Sequence, residues 1–414
     1  MSLRDRLARI ERGGRPGAAP AREDLRLFLV AGEHSGDALG GRLMAALNAR
    51  CKGRVHYLGV GGEDMEHQGL ASQFPLSDVA VMGPLSILPR LPRIISRVRR
   101  TAAAAVAAEP DAVVIIDAPE FTHPIAKRIR KRAPGIPIID YVSPSVWAWR
   151  PGRARKMRRY VDHVLALLPF EPEAHRELGG PPCTYVGHPL IEKLDWLRDL
   201  DPWPLADRLG LDHDQLVLVV LPGSRTSEIG QLIEPFGEAV EQLRLRGLVP
   251  QVIIPVVPGV RAHLEAALQS WTTRPHIVGG EADKFAAFKL AHAALAASGT
   301  VTLELALAAT PMVVAYRVDA IAARLRFLLK VPSVVLANLV LGANAFPEYL
   351  QDDCTPDNLA AALALLLRDT PVRRAQTAAL ARIPERMALE GGTPSDVAAD
   401  IVLNYAEHGR QALA

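Results

Sequence analysis

The chain has 414 residues, too many for one ordinary core and enough for two α/β domains of roughly 150–200 residues each. Apolar residues make up 49% and charged residues 22%, a balance that excludes a disordered chain, and the net charge is only +3. Cys51, Cys183 and Cys354 stand far apart with no CxxC pair, which speaks against a disulfide framework or a zinc site and for a reducing, cytoplasmic setting.

Residues 1–24 alternate Arg with acidic residues and have no apolar run, so they are expected to be a polar extension rather than a secretory signal. From Leu25 onward, short β-rich apolar runs alternate with longer helical patterns, the signature of βαβ units and a parallel sheet. LRLFLVA, VHYLGVGG, AVVIIDAP, GIPIIDYV, DHVLALLP and TYVGHP are the predicted strands of a first domain over 25–195. Their continuous apolar character implies a sheet covered on both faces. The Asp-rich, Pro-containing stretch that follows reads as a connection. A second series, QLVLVVLPGSR, QVIIPVVPG, RPHIVGG, AALAASGT and PMVVAYR, is expected to build a second domain over 205–370. The end of the chain, 371–414, is rich in Ala, Leu and Arg and reads as helices that pack back on the first domain. The fold class is therefore α/β, with two Rossmann-like domains facing across a cleft, and ligands are expected outside the carboxyl ends of the strands.

No window reaches the roughly 18–20 uninterrupted apolar residues that span a bilayer. The best candidate, VPSVVLANLVLGANAF, is broken by Pro332, Ser333, Asn338 and Asn344, so a membrane would be met from the surface. Charge is distributed unevenly. Between Met82 and Tyr160 there are sixteen Lys/Arg against five Asp/Glu, a local +11 that leaves the remainder at −8. LPRLPRIISRVRR interleaves Leu and Ile with Arg90, Arg93, Arg97, Arg99 and Arg100, the pattern of a surface that meets lipid headgroups. Nucleic acid is not indicated, because no recognised binding motif accompanies the charge.

Four strand-end loops carry candidate chemistry. In AGEHSGDALG, Gly32 and Gly36 are expected to let the backbone approach a ligand, with Ser35 and the helix-start amides as donors and Asp37 with them on the acceptor side. The alternative is a helix capped by Ser35 or Asp37. The spacing is not GxGxxG, so NAD is not expected. In VVIIDAPEF, Asp117 closes a strand and Ala-Pro turns the chain, which places a carboxylate at the sheet's carboxyl edge to act as a general base. The alternative is an Asp capping the helix that starts near Phe121. In LPGSRTSEIG, Gly223, Ser224 and Arg225 present amides and a guanidinium to a phosphate, or else form a plain turn. In AASGTVTLE, Ser298, Gly299 and Thr300 lie between strand and helix, and Glu304 is placed to accept ribose hydroxyls or is merely a helix-start residue. No DxD-type pair stands at a strand end, so neither a metal nor another cofactor is expected. Trp147 and Trp149 line a sugar or acyl site or pack in the interior.

Taken in order, AGEHSGD, GVGG with Met65, VMGPLSILPRL, IDAPEF, YVSPSVWAWRPGR, LLPFE, VGHP, LPGSR, ASGTVTLE and PMVVAYR closely resemble the lipid-A-disaccharide synthase family of GT-B glycosyltransferases. The resemblance runs from about Leu25 to the C-terminus. It implies an inverting enzyme that joins UDP-2,3-diacylglucosamine to 2,3-diacylglucosamine 1-phosphate, at the cytoplasmic face of the inner membrane of a Gram-negative bacterium. The family's essential acid falls on Asp117, its essential arginine on Arg225 and its asparagine on Asn338, and Met82 and Trp147 fall in its acceptor-side motifs. Ala337 stands where the family pattern has Pro, and Gly342-Ala343-Asn344 where it has Gly-Arg-Glu. A UDP-N-acetylglucosamine 2-epimerase of the same architecture is the alternative, and a non-enzymatic polyanion-binding surface is a further one.

Overall fold

The computed structural model describes residues 24–79, 91–318 and 331–412. Thirteen strands among these residues form two sheets, one of seven strands and one of six. The first sheet contains β1 (Leu25–Ala31), β2 (Val55–Val60), β3 (Ala71–Ser72), β4 (Ala112–Ile116), β5 (Ile138–Tyr141), β6 (His163–Ala166) and β7 (Cys183–Tyr185). The second contains β8 (Val217–Leu221), β9 (Gln251–Pro255), β10 (His276–Val278), β11 (Ala293–Ala297), β12 (Met312–Tyr316) and β13 (Glu348–Leu350). The expected strands are all present, and β3 and β13, of two and three residues, are additions too short to leave a period in the sequence.

Strand order decides where ligands go. The first sheet runs β3-β2-β1-β4-β5-β6-β7, so the chain reverses direction across the sheet between β1 and β4. Those two strands pair in parallel, Leu27 opposite Ala112 through Ala31 opposite Ile116. The second sheet runs β10-β9-β8-β11-β12-β13 and reverses between β8 and β11, which pair in parallel from Leu218 opposite Ala293 to Leu221 opposite Ala296. At such a switch point the loops leaving the two strands diverge and open a crevice at the carboxyl edge. The four loops singled out above follow β1, β4, β8 and β11.

The strands are apolar throughout because both faces are covered. In the second sheet, Val219, Leu221, Ala294, Ala296, Met312 and Val314 enter one core while Leu218, Val220, Ala293, Leu295, Val313 and Ala315 enter another. Successive side chains thus serve opposite faces and all are buried.

The described residues divide into two compact units, those up to 139 together with those from 399 onward, and those of 140–398. Within the first, the middle of the helix Pro394–His408 meets the end of the helix His34–Cys51, where Arg50 Nε donates to Asp400 Oδ1 at 2.5 Å. Arg410 donates to the carbonyl of Pro134 at 3.0 Å. Within the second, Lys289 Nζ donates to the carbonyls of Leu197, Arg198 and Leu200, tying the Asp-rich connection to the helix Glu281–Leu290.

Candidate active site

At the switch point of the first sheet, β4 ends at Ile116 and the next two residues take left-handed backbone conformations, φ 52° at Asp117 and 42° at Ala118. Non-glycine residues in this region are strained by roughly 1–3 kcal/mol each and persist only where their surroundings hold them. Here Thr122 Oγ1 donates to the carbonyls of Asp117 (2.8 Å) and Ala118 (3.2 Å), and the amides of Phe121 and Thr122 also donate to the Ala118 carbonyl. Ala118 is the N-cap of the helix Pro119–Arg132, with Pro at its first position and no side-chain cap. The Asp117 carboxylate is therefore not a helix cap. Half-exposed, it accepts a hydrogen bond from Ser35 Oγ through Oδ2 at 2.8 Å.

The loop after β1 is tied into the protein itself. Gly32 and Gly36 serve close packing within the protein: a Cβ on Gly32 would lie 2.5 Å from Ala118 Cβ, and one on Gly36 would lie 3.0 Å from the Ile116 carbonyl. Neither Ser35 nor Asp37 caps the helix His34–Cys51, whose N-cap is Glu33. Asp37 is buried and instead accepts from the amides of Gly62, Asp64 and Met65, capping the short helix Glu63–His67 and holding the GVGG turn in place.

At the switch point of the second sheet, Gly223 (φ 121°), Ser224 and Arg225 follow β8, ahead of the helix Thr226–Leu245. Glu228, one turn into that helix, accepts from the Ser224 amide at 3.0 Å and from Arg225 Nη1 at 3.2 Å. A carboxylate thus occupies the donors expected to meet a phosphate. Nothing larger than Gly fits at 223, because a Cβ there would lie 2.5 Å from Glu228 Cβ. Glu228 is an addition to the sequence reading, and its spacing of three residues from Arg225 is the signal that finds it. Tyr316, at the end of β12, lies in the field of this pair: burial raises its hydroxyl pKa, Glu228 adds to the rise and Arg225 opposes it.

Other expected donor-side residues are committed inside the fold. Ser298 Oγ donates to the Val334 carbonyl at 2.7 Å, and Glu304 is ion-paired with Lys284 at 2.8 and 2.9 Å. Asn338 is buried: its Nδ2 donates to Ser333 Oγ and the Phe346 carbonyl while its Oδ1 accepts from the Phe346 amide, so it pins the 333–346 segment. Gly299 (φ 155°) and exposed Thr300 remain at the crevice edge.

Trp147 is likewise anchored rather than presented. Its indole Nε1 donates to Glu171 Oε1 at 3.1 Å and its ring meets Phe170 edge-on at 5.1 Å. Glu171 is buried and also accepts from the amides of Leu167 and Leu168; burial pushes its pKa up to about 7, against these three hydrogen bonds. Beside this group, buried Ser143 Oγ and His175 Nε2 lie 2.8 Å apart.

Met82 and Arg90 lie outside the described residues. Of the remaining basic stripe on the helix Leu91–Ala108, Arg97 is held internally: Nη2 donates to Asp78 Oδ2 at 2.5 Å and its guanidinium lies 4.5 Å from the centre of the Phe74 ring. Arg93 reaches Asp78 Oδ1 at 3.6 Å, whereas Arg99 and Arg100 are exposed, as are Leu91 and Ile95. Among the described residues no helix is long and apolar enough to cross a membrane.

Two parallel sheets with loops at both switch points define the GT-B class of α/β proteins, and solved structures share the arrangement. UDP-GlcNAc 2-epimerase from Neisseria meningitidis, bound to UDP-GlcNAc, matches with a TM-score of 0.63 at 13% identity over 92% of this chain and 100% of that one. MurG of Acinetobacter baumannii matches with a TM-score of 0.53 at 14% identity over 92% and 99%. Residues 27–395 match the model of the lipid-A-disaccharide synthetase family. Lipid-A-disaccharide synthase of Nitrobacter hamburgensis is 52% identical over 384 residues, 92% of this chain and 96% of that protein. Its counterpart in Rhodopseudomonas palustris strain HaA2 is 53% identical over 380 residues, again 92% and 96%. The chain belongs to the lipid-A-disaccharide synthetase family and is an enzyme of the glycosyltransferase class.

Proposed function

We propose that the protein is an inverting glycosyltransferase that joins UDP-2,3-diacylglucosamine to 2,3-diacylglucosamine 1-phosphate, giving the β-1′,6-linked disaccharide 1-phosphate and UDP. The observation that carries this reading is the Asp117 carboxylate, half-exposed at the switch point of the first sheet on a strained turn. In the reaction, Asp117 takes the proton of the acceptor's 6-hydroxyl as that oxygen attacks C1 of the donor. The bond from C1 to the diphosphate breaks on the opposite face, and its electron pair leaves with UDP. The negative charge that develops there needs fixed donors. Arg225 and the Ser224 amide supply them, and the diphosphate takes over these donors from Glu228, so donor binding exchanges one anion for another. The reading uses no metal or other cofactor.

The acylated substrates call for contact with the cytoplasmic face of the inner membrane. Leu91, Ile95 and Arg99 recur every fourth residue on the helix Leu91–Ala108, an exposed apolar and basic stripe suited to an anionic surface. The test is an assay with UDP-2,3-diacylglucosamine in which UDP release depends on the acylated acceptor and the product carries the β anomeric configuration. Conversion of UDP-N-acetylglucosamine to its 2-epimer without any acceptor would replace this reading by the epimerase one.

A further inference from the structure

Serine in the first turn of a helix ordinarily satisfies its own helix's amides. Ser35 does not: the helix His34–Cys51 has no side-chain cap, and the Ser35 hydroxyl points to a carboxylate 82 positions further along the chain. The approach of the two loops is built into the backbone. Gly32 and Gly36 have no Cβ to push the Asp117–Ala118 turn away, and a Cβ at Gly36 would already stand 3.5 Å from Asp117 Cβ. The turn is fixed from the other side by Thr122. With the backbone clamped on both sides, what remains free is rotation of the Asp117 carboxylate, and the 2.8 Å bond from Ser35 Oγ to Oδ2 removes it. Oδ2 is thereby taken, and Oδ1, without a partner among the described residues, is left to receive a proton.

We propose that Ser35 is a positioning residue for the Asp117 base: its hydroxyl holds the carboxylate so that Oδ1 faces the acceptor hydroxyl. This rests on the reading of Asp117 as the base. The arrangement is the general one in which a base is oriented by a third group, here a hydroxyl directed at a carboxylate.

The test is steady-state kinetics of Ser35→Ala, Ser35→Thr, Asp117→Asn and the double variant Ser35→Ala/Asp117→Asn, with the diacylated donor and acceptor. Losing one hydrogen bond to a charged group is expected to lower kcat about 10-fold in Ser35→Ala, with both KM values within about twofold. Ser35→Thr, which keeps the hydroxyl, is expected to restore the rate. In the Asp117→Asn background, Ser35→Ala is expected to change kcat less than about twofold. A wild-type rate in Ser35→Ala, beside an inactive Asp117→Asn, would overturn the role of Ser35 alone. So would a raised KM at constant kcat, which marks a substrate contact, or a lowered melting temperature at unchanged kcat, which marks a purely structural one. An active Asp117→Asn enzyme would instead overturn the base assignment on which the inference rests.

Discussion

β4 and β5 each run into the same three letters, Ile115-Ile116-Asp117 and Ile138-Ile139-Asp140, yet the two aspartates end in opposite environments. After Asp117 the Ala-Pro pair turns the chain out of the sheet, and the carboxylate is half-exposed with a hydroxyl on one oxygen. Asp140 stays inside its strand, followed by Tyr141, and is only 1% exposed. Its charge acts on interior groups. Burial lowers the His175 pKa while Asp140 opposes the shift, and both burial and Asp140 raise the pKa of the Cys183 thiol. A carboxylate at a strand end is thus available for chemistry only where the chain leaves the sheet at that residue; one position further inside, it becomes part of a buried polar cluster that specifies packing.

The sharpest way to break this contrast is to neutralise each aspartate. Asp117→Asn is expected to lower turnover about 10²-fold or more at an almost unchanged melting temperature. Asp140→Asn is expected to do the reverse, costing about 1–3 kcal/mol of stability while the residual folded enzyme keeps its turnover. Kinetics and urea unfolding of the pair decide the matter, and equal kinetic losses would end the distinction.

Next in size is the backbone approach that exposes Asp117. Gly32→Ala brings a methyl into the Ala118 side chain and is expected to cost about 1–3 kcal/mol in urea unfolding, with a fall in kcat as the strained turn shifts. Stability and rate both at wild-type level would show that the turn yields freely.

On the buried side, Glu171 offers a pH test. Its folded pKa, about 7, lies above the ordinary carboxylate value, so the stability it contributes is complete below about pH 4.5 and is lost as pH rises through 7. The stability advantage of the wild type over Glu171→Gln is therefore expected to shrink between pH 5 and 8. His163 acts in the opposite sense. Burial holds its pKa down to about 4, so its contribution is present above pH 6.5 and is lost as pH falls through 4. An advantage over Glu171→Gln that grows with pH would contradict the placement of Glu171.

The smallest effect separates free from committed arginines. Replacing Arg99 and Arg100 by Ala is expected to weaken binding to anionic vesicles by about 1 kcal/mol per residue at low salt. Arg97→Ala is expected to act on stability instead, because its guanidinium is held by Asp78 and Phe74. Vesicle sedimentation at two salt concentrations, set against melting temperatures, separates the two.

Continuous apolar runs between Gly- and Pro-marked turns were enough to predict every strand of four or more residues, since a parallel sheet covered on both faces writes its burial directly into local sequence. The ordered motifs likewise pointed to the family, and four loops stood out as candidates at strand ends. What no local pattern contains is which strand lies beside which. The orders that place β1 next to β4 and β8 next to β11 are set by packing across the whole sheet, and they alone bring Ser35 to Asp117. The same holds for side chains whose type suggested a ligand. Asp37, Glu304 and Asn338 look like site residues by position, yet their partners are the amides of 62–65, Lys284 and the 333–346 segment. Residue type and spacing determine what a group can bond. Only the path of the rest of the chain decides whether protein or ligand reaches it first, because a buried polar group must find its partners within the fold.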